Sequence, residues 1–94
     1  MYQLTSLPKF DKQFKRFYPK EQELIRTEIK KILNDPTIGE QKRGVLASIR
    51  VHKFKIHNQL YLLAYDFEAK TKTIILYAIA THENYYSALS RYIK

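Results

Sequence analysis

Two short stretches of the sequence hold the residues best suited to chemistry. His82, Tyr85 and Tyr86 lie together in THENYY, directly after an apolar run, and Lys53 and Lys55 alternate with apolar residues in another stretch. RNA can be cleaved without a metal by its own 2′-hydroxyl, given a base, cations for the phosphorane charge and an acid for the leaving 5′-oxygen. Histidine suits either proton transfer, lysine can hold phosphate, and tyrosine can stack on a base or donate a proton.

Each of these residues also has a simpler interpretation. A histidine before a helix is often a cap or a surface residue, and tyrosines on a helix usually pack in a core or an interface. A lysine pair on a strand can be a solvated face or a protection of a sheet edge, and Arg50 could serve only the fold. Tyr61 and Tyr65 share one face of a strand and are predicted to pack rather than to contact a ligand.

The charge of the chain is its strongest overall signal. Seventeen Lys and Arg residues against nine Asp and Glu residues give a net charge of +8, with a pI near 9.7. Residues 41–57 contain no acid, and their ionisable side chains are all basic: Lys42, Arg43, Arg50, His52, Lys53, Lys55 and His57. This distribution indicates a nucleic acid or an acidic protein as the partner.

Several classes of protein and site are disfavoured. There is no cysteine, and three histidines without an H-x-x-x-H spacing make a poor metal site, so no metal or cofactor is predicted. His52 and His57, five residues apart on a strand, should point to opposite faces. We find neither a glycine-rich phosphate loop nor a nucleophile elbow. No apolar run could span a bilayer and the N-terminus does not resemble a signal peptide, so a location inside the cell is expected.

A pair of helices is predicted in the N-terminal third, after a short strand at YQLTS. Phe10, Phe14 and Phe17 recur at helical spacing in the first helix, for which Ser6 and Pro8 make a plausible start. The second helix should begin at Pro19 and end at Asn34–Pro36. Its apolar stripe consists of Ile25, Ile29, Ile32 and Leu33.

Three strands and a last helix are predicted after a loop at TIGEQKRG. The strands are LASIRVHKFKI, LYLLAYDF and TIILYAIA, joined by turns at HNQ and EAKTK, and the last two are apolar enough to be central. In the first, Phe54 and Ile56 should face the helices and leave the lysines on an open face. A helix from about Glu83 to Tyr92 ends the chain. The prediction is one α+β domain over residues 1–94, ordered β-α-α-β-β-β-α, with a small antiparallel sheet and a helical hairpin on one side.

With these elements and residues, the sequence resembles the RelE/ParE superfamily of toxins from bacterial type II toxin–antitoxin systems. The stretch GVLASIRVHKFKIHNQLYLLAYDF resembles the family pattern G-x-L-x-x-x-R-V-x-K-x-[KR], and THENYYSALSRYIK resembles the H-E-N-[FY]-Y close of many RelE-like members. The resemblance covers nearly the whole chain. It implies a metal-independent endoribonuclease that needs no cofactor and cleaves mRNA in the A site of the small ribosomal subunit.

The resemblance also implies roles for particular residues. Lys53 and Lys55 match strand lysines that contact RNA and assist catalysis, and Tyr86 matches a C-terminal tyrosine that stacks on or activates the cleaved nucleotide. His82 matches the histidine that YafQ-like and YoeB-like members use as a general acid or base. The expected RNA-binding residues are Arg50, His57, Lys42, Arg43 and Tyr85.

The chain departs from RelE at two places, so the resemblance implies chemistry closer to that of the histidine-using members than to that of RelE. Leu62 stands where RelE has an arginine, and Thr81–His82 stands where RelE has another arginine. The alternative is a ParE-like inhibitor of DNA gyrase that cleaves no nucleic acid, and a third possibility is a degenerate member that only binds a partner.

The resemblance implies a cognate antitoxin in either toxic case. An acidic or amphipathic antitoxin is expected to cover the basic groove or to displace the C-terminal helix, burying Tyr85 or Tyr92. The protein should be a monomer alone, form a hetero-oligomer with the antitoxin, and act in the bacterial cytoplasm without a membrane.

Overall fold

Two helices and five strands lie in the described part of the chain, residues 2–41 and 49–81 of a computed structural model. Their bounds are β1 (Gln3–Ser6), α1 (Pro8–Lys15), α2 (Pro19–Asn34), β2 (Glu40–Gln41), β3 (Ile49–Ile56), β4 (Gln59–Glu68) and β5 (Thr73–Thr81). The predicted C-terminal helix lies outside the described residues. No helix of the described part is long and apolar enough to cross a membrane.

Proline opens both helices, because its fixed φ suits the first helical position and its missing N–H is not needed there. Ser6 does not cap α1. Leu7 holds the capping position, and the Ser6 hydroxyl donates instead to Asp11 Oδ1 at 2.6 Å. At the start of α2, the backbone N–H of Tyr18 donates to Glu21 Oε1 at 2.9 Å, which satisfies one end group of the helix.

The predicted apolar stripes of the helices meet the sheet in one core. Phe10 on α1 and Ile25, Ile29 and Ile32 on α2 are buried against Phe54, Ile56, Leu63, Tyr65, Ile74, Leu76 and Ile79 from the strands. The side-chain amide of Gln22 donates to the backbone carbonyls of both Phe14 and Phe17, at 3.1 Å each. These bonds tie α2 to the end of α1, so the two helices form the predicted hairpin on one face of the sheet.

The sheet has the strand order β1-β5-β4-β3-β2. The predicted antiparallel pairs β3–β4 and β4–β5 are present, and β4 and β5 are inner strands with buried residues on both faces, as their composition indicates. The sheet is nevertheless mixed, because β1 pairs with β5 in parallel, from Gln3 opposite Thr73 to Ser6 opposite Leu76. This direction lets the chain pass from β1 straight into α1, and Leu7 N–H donates to Leu76 O at the junction.

The loop after α2 contains a two-residue strand that the sequence does not reveal. Tyr65 on β4 is fully buried, donates its hydroxyl to Pro36 O at 2.6 Å and accepts from Gly39 N–H at 2.9 Å. A side chain at residue 39 would place its Cβ 2.5 Å from the Tyr65 hydroxyl oxygen, so only glycine fits. The loop fixed in this way brings Glu40 into register with Val51 and adds β2 to the edge of β3.

The β3–β4 hairpin turns through His57 and Asn58, within the predicted HNQ turn. Both residues have positive φ, 50° and 66°. Two consecutive residues of this kind are typical of the tight type I′ turn, whose twist matches that of the flanking strands. Gln59 already belongs to β4, so the register between β3 and β4 is set at the turn.

Candidate nucleic-acid interface

The two faces of the sheet differ as the alternation in β3 predicts. Phe54 and Ile56 are buried beneath the helices, whereas Lys53 and Lys55 are exposed on the other side. We call the side of the sheet opposite α1 and α2 the open face. The alternation of apolar and basic residues is therefore enough to place both lysines where a large ligand can reach them.

The end of β5 lies close to the two lysines. Lys53 is paired with Leu62 on β4, and Leu62 with Ala80 on β5, so these three residues form one row across the sheet. Neighbouring strands are about 4.8 Å apart, which places Ala80 about 10 Å from Lys53 along that row. Thr81 is the next residue and the end of β5. The sheet thus brings the strand lysines and the end of β5 to the same region.

The ammonium groups of the lysines have little to hold them in place. Lys53 Nζ lies 3.8 Å from Glu40 Oε2, and the two side chains are 50% and 62% exposed. Ion pairs this exposed contribute only about 0–1 kcal/mol, so a phosphate can displace the carboxylate at little cost. The side chain of Lys55 makes no hydrogen bond or ion pair with residues 2–41 or 49–81.

A second apolar cluster occupies the open face beside the lysines. Ile49, Val51, Leu62 and Ala64 are buried there, and Tyr77 packs against them. Leu62, the residue at the position of the expected arginine, is 4% exposed and part of this cluster. In the described part of the open face, the cations near the row are therefore Lys53 and Lys55.

Arg50 and His57 do not join the lysines. Arg50 Nη1 donates to the carbonyls of Gly39 and Thr37, at 3.0 and 3.4 Å, and so holds the loop before β2. His57 lies in the hairpin turn, with Nε2 3.7 Å from Glu21 Oε2 on α2. The contacts of Arg50 give it a structural role, and those of His57 direct its ring toward the helices.

His52 makes a contact that the sequence analysis missed. Its Nε2 lies 2.7 Å from Glu28 Oε1 on α2, and the two side chains are only 12% and 17% exposed. Burial raises the pKa of Glu28, but hydrogen bonds and charge interactions with His52 and Lys31 outweigh it, so the pKa is lowered overall. The prediction that His52 and His57 face opposite ways is wrong, because His57 lies in the turn and both rings contact α2.

The tyrosines of β4 pack as predicted. Tyr65 is fully buried, and Tyr61 packs against the core with its ring near those of Phe17 and Phe54. Burial raises the pKa of Tyr65, which keeps its hydroxyl protonated and able to donate to Pro36 O.

The other residues expected to act on RNA lie outside the described residues: His82, Tyr86, Tyr85, Lys42 and Arg43. In residues 2–41 and 49–81, no group of three or more histidine or acidic side chains is placed to hold a metal ion.

A family model decides the relationship of the chain to known proteins. The model of the ParE-like toxin of type II bacterial toxin–antitoxin systems matches residues 4–90. The chain belongs to this family. A comparison with curated protein sequences gives no significant match. The resemblance to the RelE/ParE superfamily is therefore confirmed at the level of the family.

Solved structures of RelE proteins have the same fold as this ParE-like toxin. Isolated E. coli RelE is 19% identical with a TM-score of 0.70, over 97% of this chain and 98% of RelE. The toxin–antitoxin complex RelBE2 of Mycobacterium tuberculosis gives 13% identity and a TM-score of 0.73, over 86% and 98% of the two chains. The intact E. coli RelBE toxin–antitoxin complex gives 16% identity and a TM-score of 0.69, over 85% of this chain and 95% of that chain. The predicted α+β fold is thus confirmed.

Proposed function

We propose that this ParE-like toxin is a metal-independent endoribonuclease that cleaves mRNA on the ribosome in the bacterial cytoplasm and so stops translation. The observation that carries the proposal is the pair of exposed cations on the open face. Phe54 and Ile56 supply the packing of β3, and neither Lys53 nor Lys55 is required by the fold. Two exposed cations beside the end of β5 suit a phosphate that gains negative charge during a reaction.

The reaction is an attack of the 2′-oxygen of RNA on the adjacent phosphorus. The 2′-hydroxyl loses its proton to a base, the bond from phosphorus to the 5′-oxygen breaks, and an acid protonates the leaving oxygen. The products are a 2′,3′-cyclic phosphate and a free 5′-hydroxyl. Lys53 and Lys55 stabilise the phosphorane, His82 transfers a proton, and Tyr86 stacks on a base beside the cleaved bond.

An antitoxin is the protein partner in this proposal. Two of the structures of the same fold are complexes of a toxin with its antitoxin. An acidic or amphipathic antitoxin that covers the open face would neutralise Lys53 and Lys55 and keep RNA away from them. Failure of the acidic product of a neighbouring gene to co-purify with the toxin would count against this partner.

The proposal is tested by removing the two lysines together. Lys53→Ala/Lys55→Ala should lower the rate of mRNA cleavage by about 10²-fold or more, as loss of a transition-state contact does. The matched control is Lys70→Ala/Lys72→Ala, which removes two exposed lysines at the β4–β5 turn, the opposite end of the sheet. Cleavage at the wild-type rate by the folded Lys53→Ala/Lys55→Ala variant would refute the assigned role.

Inhibition of DNA gyrase is the second candidate, and one observation favours it. Leu62 is buried in an apolar cluster at the position where the resemblance to RelE calls for an arginine. Inhibition of gyrase-catalysed supercoiling by the purified toxin, with intact mRNA and continued translation, would support this function instead.

A further inference from the structure

An apolar groove lies between β1, α1 and α2, on the face of the sheet that the helices cover. It has a volume of about 430 Å³, and the buried residues Phe10, Ile29 and Leu76 are part of its lining. Leu4 on β1 lines it as well and is 44% exposed, and Phe14 on α1 is half-buried. We call the groove formed by these five residues the β1 groove. Its lining suits apolar side chains of a bound segment.

The outer edge of β1 borders this groove and pairs with no other strand of residues 2–41 and 49–81. On the inner edge, the N–H groups of Gln3 and Leu7 donate to carbonyls at β5. Backbone groups alternate along a strand, so those of Leu4 and Ser6 point to the outer edge. β1 has no charged residue, no proline and no bulge, which are features that commonly keep an edge strand from pairing. The edge is therefore open to a further strand.

Two cations lie on the α2 side of the groove. Arg26 and Lys30 are four residues apart on one side of the helix, and both are exposed. Neither makes an ion pair within the described part of the chain, and the Arg26 guanidinium lies 5.2 Å from the centroid of the Phe14 ring. The Asp11 carboxylate, also in the lining, accepts from the Ser6 hydroxyl at 2.6 Å. The groove thus offers two cations to carboxylates of a bound segment.

We infer that an extended, acidic segment of the antitoxin pairs with β1 and places apolar side chains in the β1 groove. The inference rests on the proposed function, which includes an antitoxin as the protein partner. The outward N–H and C=O groups of Leu4 and Ser6 supply the main-chain hydrogen bonds. Side chains alternate along the added strand, so every second one points toward the groove. Acidic residues beside these anchors reach Arg26 and Lys30.

Other occupants match these features less well. A second copy of the chain carries the same net charge of +8 and brings the same two cations to the contact. The toxin's own sequence outside the described residues is also basic, since residues 42–48 contain two cations and no acid, and residues 82–94 contain one acid against two Lys and Arg residues. RNA can bind the cations but has no strand to add to β1. An acidic protein segment matches the cations, the apolar lining and the strand edge together.

The β1 groove and the strand lysines lie on different faces of the sheet. β5 and β4 separate β1 from β3, so three strand spacings put β1 roughly 14 Å from the strand that carries Lys53 and Lys55. The antitoxin is therefore held at β1 by contacts that do not touch the proposed reaction site. Loss of these contacts should weaken the complex and leave mRNA cleavage by the free toxin unchanged.

The test measures binding of the purified acidic protein encoded beside the toxin gene, by titration calorimetry. Arg26→Gln/Lys30→Gln should raise its Kd by about threefold or more, through loss of two exposed ion pairs. Leu4→Pro removes an outward N–H and an apolar anchor but no bond to β5, and should raise the Kd by about tenfold or more. The control Lys15→Gln/Lys20→Gln, at the turn between the helices, has the same net charge as the first variant and should bind as wild type does.

Amide hydrogen exchange shows directly whether a strand is added. The amides of Leu4 and Ser6 should exchange at least about tenfold more slowly in the complex than in the free toxin. Protection already present in the free toxin would assign the groove to the toxin's own chain, or to a second copy if it is lost on dilution, and either result overturns the inference. Unchanged Kd values in both variants, weaker binding of single-stranded RNA instead, or no binding of the neighbouring gene's product to wild type also overturn it.

The two proposals fail separately. Weaker antitoxin binding by these variants of a toxin that cleaves no mRNA refutes the proposed reaction and leaves the docking site standing. Unchanged antitoxin binding with normal mRNA cleavage refutes the docking site and leaves the reaction standing.

Discussion

Replacing Tyr65 by phenylalanine removes one oxygen atom that connects β4 to the loop after α2. The hydroxyl donates to Pro36 O at 2.6 Å and accepts from Gly39 N–H at 2.9 Å, and all three residues are buried. The variant keeps the ring and its packing but leaves a donor and an acceptor unsatisfied. Each such group costs about 1–3 kcal/mol, and partial access of water to the loop through exposed Thr37 reduces the sum.

The free energy of unfolding should therefore fall by about 2 kcal/mol, which lowers the melting temperature of a domain of this size by about 8–16 °C. Urea titration followed by circular dichroism should show a lower midpoint with an unchanged slope. The matched control is Tyr61→Phe, the same change on the same strand and face, where the described contacts are between rings. A Tyr65→Phe variant within about 0.5 kcal/mol of wild type would refute the anchoring role.

Three further changes test other contacts. Gly39→Ala should destabilise the protein in urea titration, because its Cβ would lie 2.5 Å from the Tyr65 hydroxyl oxygen; an unchanged midpoint would contradict this. Gln22→Ala should lower the unfolding free energy by about 1–2 kcal/mol through loss of two bonds that tie the helices together, and no loss would show that the helices do not depend on them. Because the pKa of Glu28 is lowered on folding, its carboxylate stabilises the fold above its ordinary pKa of 4.5, and the contribution is lost as the pH falls through the folded value. Glu28→Gln should therefore reduce the loss of unfolding free energy below about pH 4.5. An unfolding free energy that falls with pH as steeply as in wild type would contradict the pair with His52.

Local patterns were sufficient to predict the main elements and the direction of the strand lysines. Helical spacing of Phe10 and Phe14 marks the face of the first helix that packs, whereas Phe17, predicted on the same helix, follows its end and still packs against the core. Alternation in β3 separates buried Phe54 from exposed Lys53. Both patterns follow from the geometry of a single helix or strand, so they can be read without knowing what lies across from it.

The features that could not be predicted depend on residues far apart in the chain. Tyr65 is 29 residues from the carbonyl it binds, and His52 is 24 residues from Glu28. The parallel direction of β1 depends on how the chain enters α1, which four strand residues do not encode.

The central claim, that the toxin cleaves mRNA on the ribosome, is tested most directly in a cell-free bacterial translation system. Purified toxin is added to the reaction, and the ends of the mRNA are mapped by primer extension. The account predicts discrete cuts at ribosome-occupied codons that fall by about 10²-fold or more in His82→Ala, since general acid–base catalysis contributes this much. Intact mRNA with continued translation would contradict it.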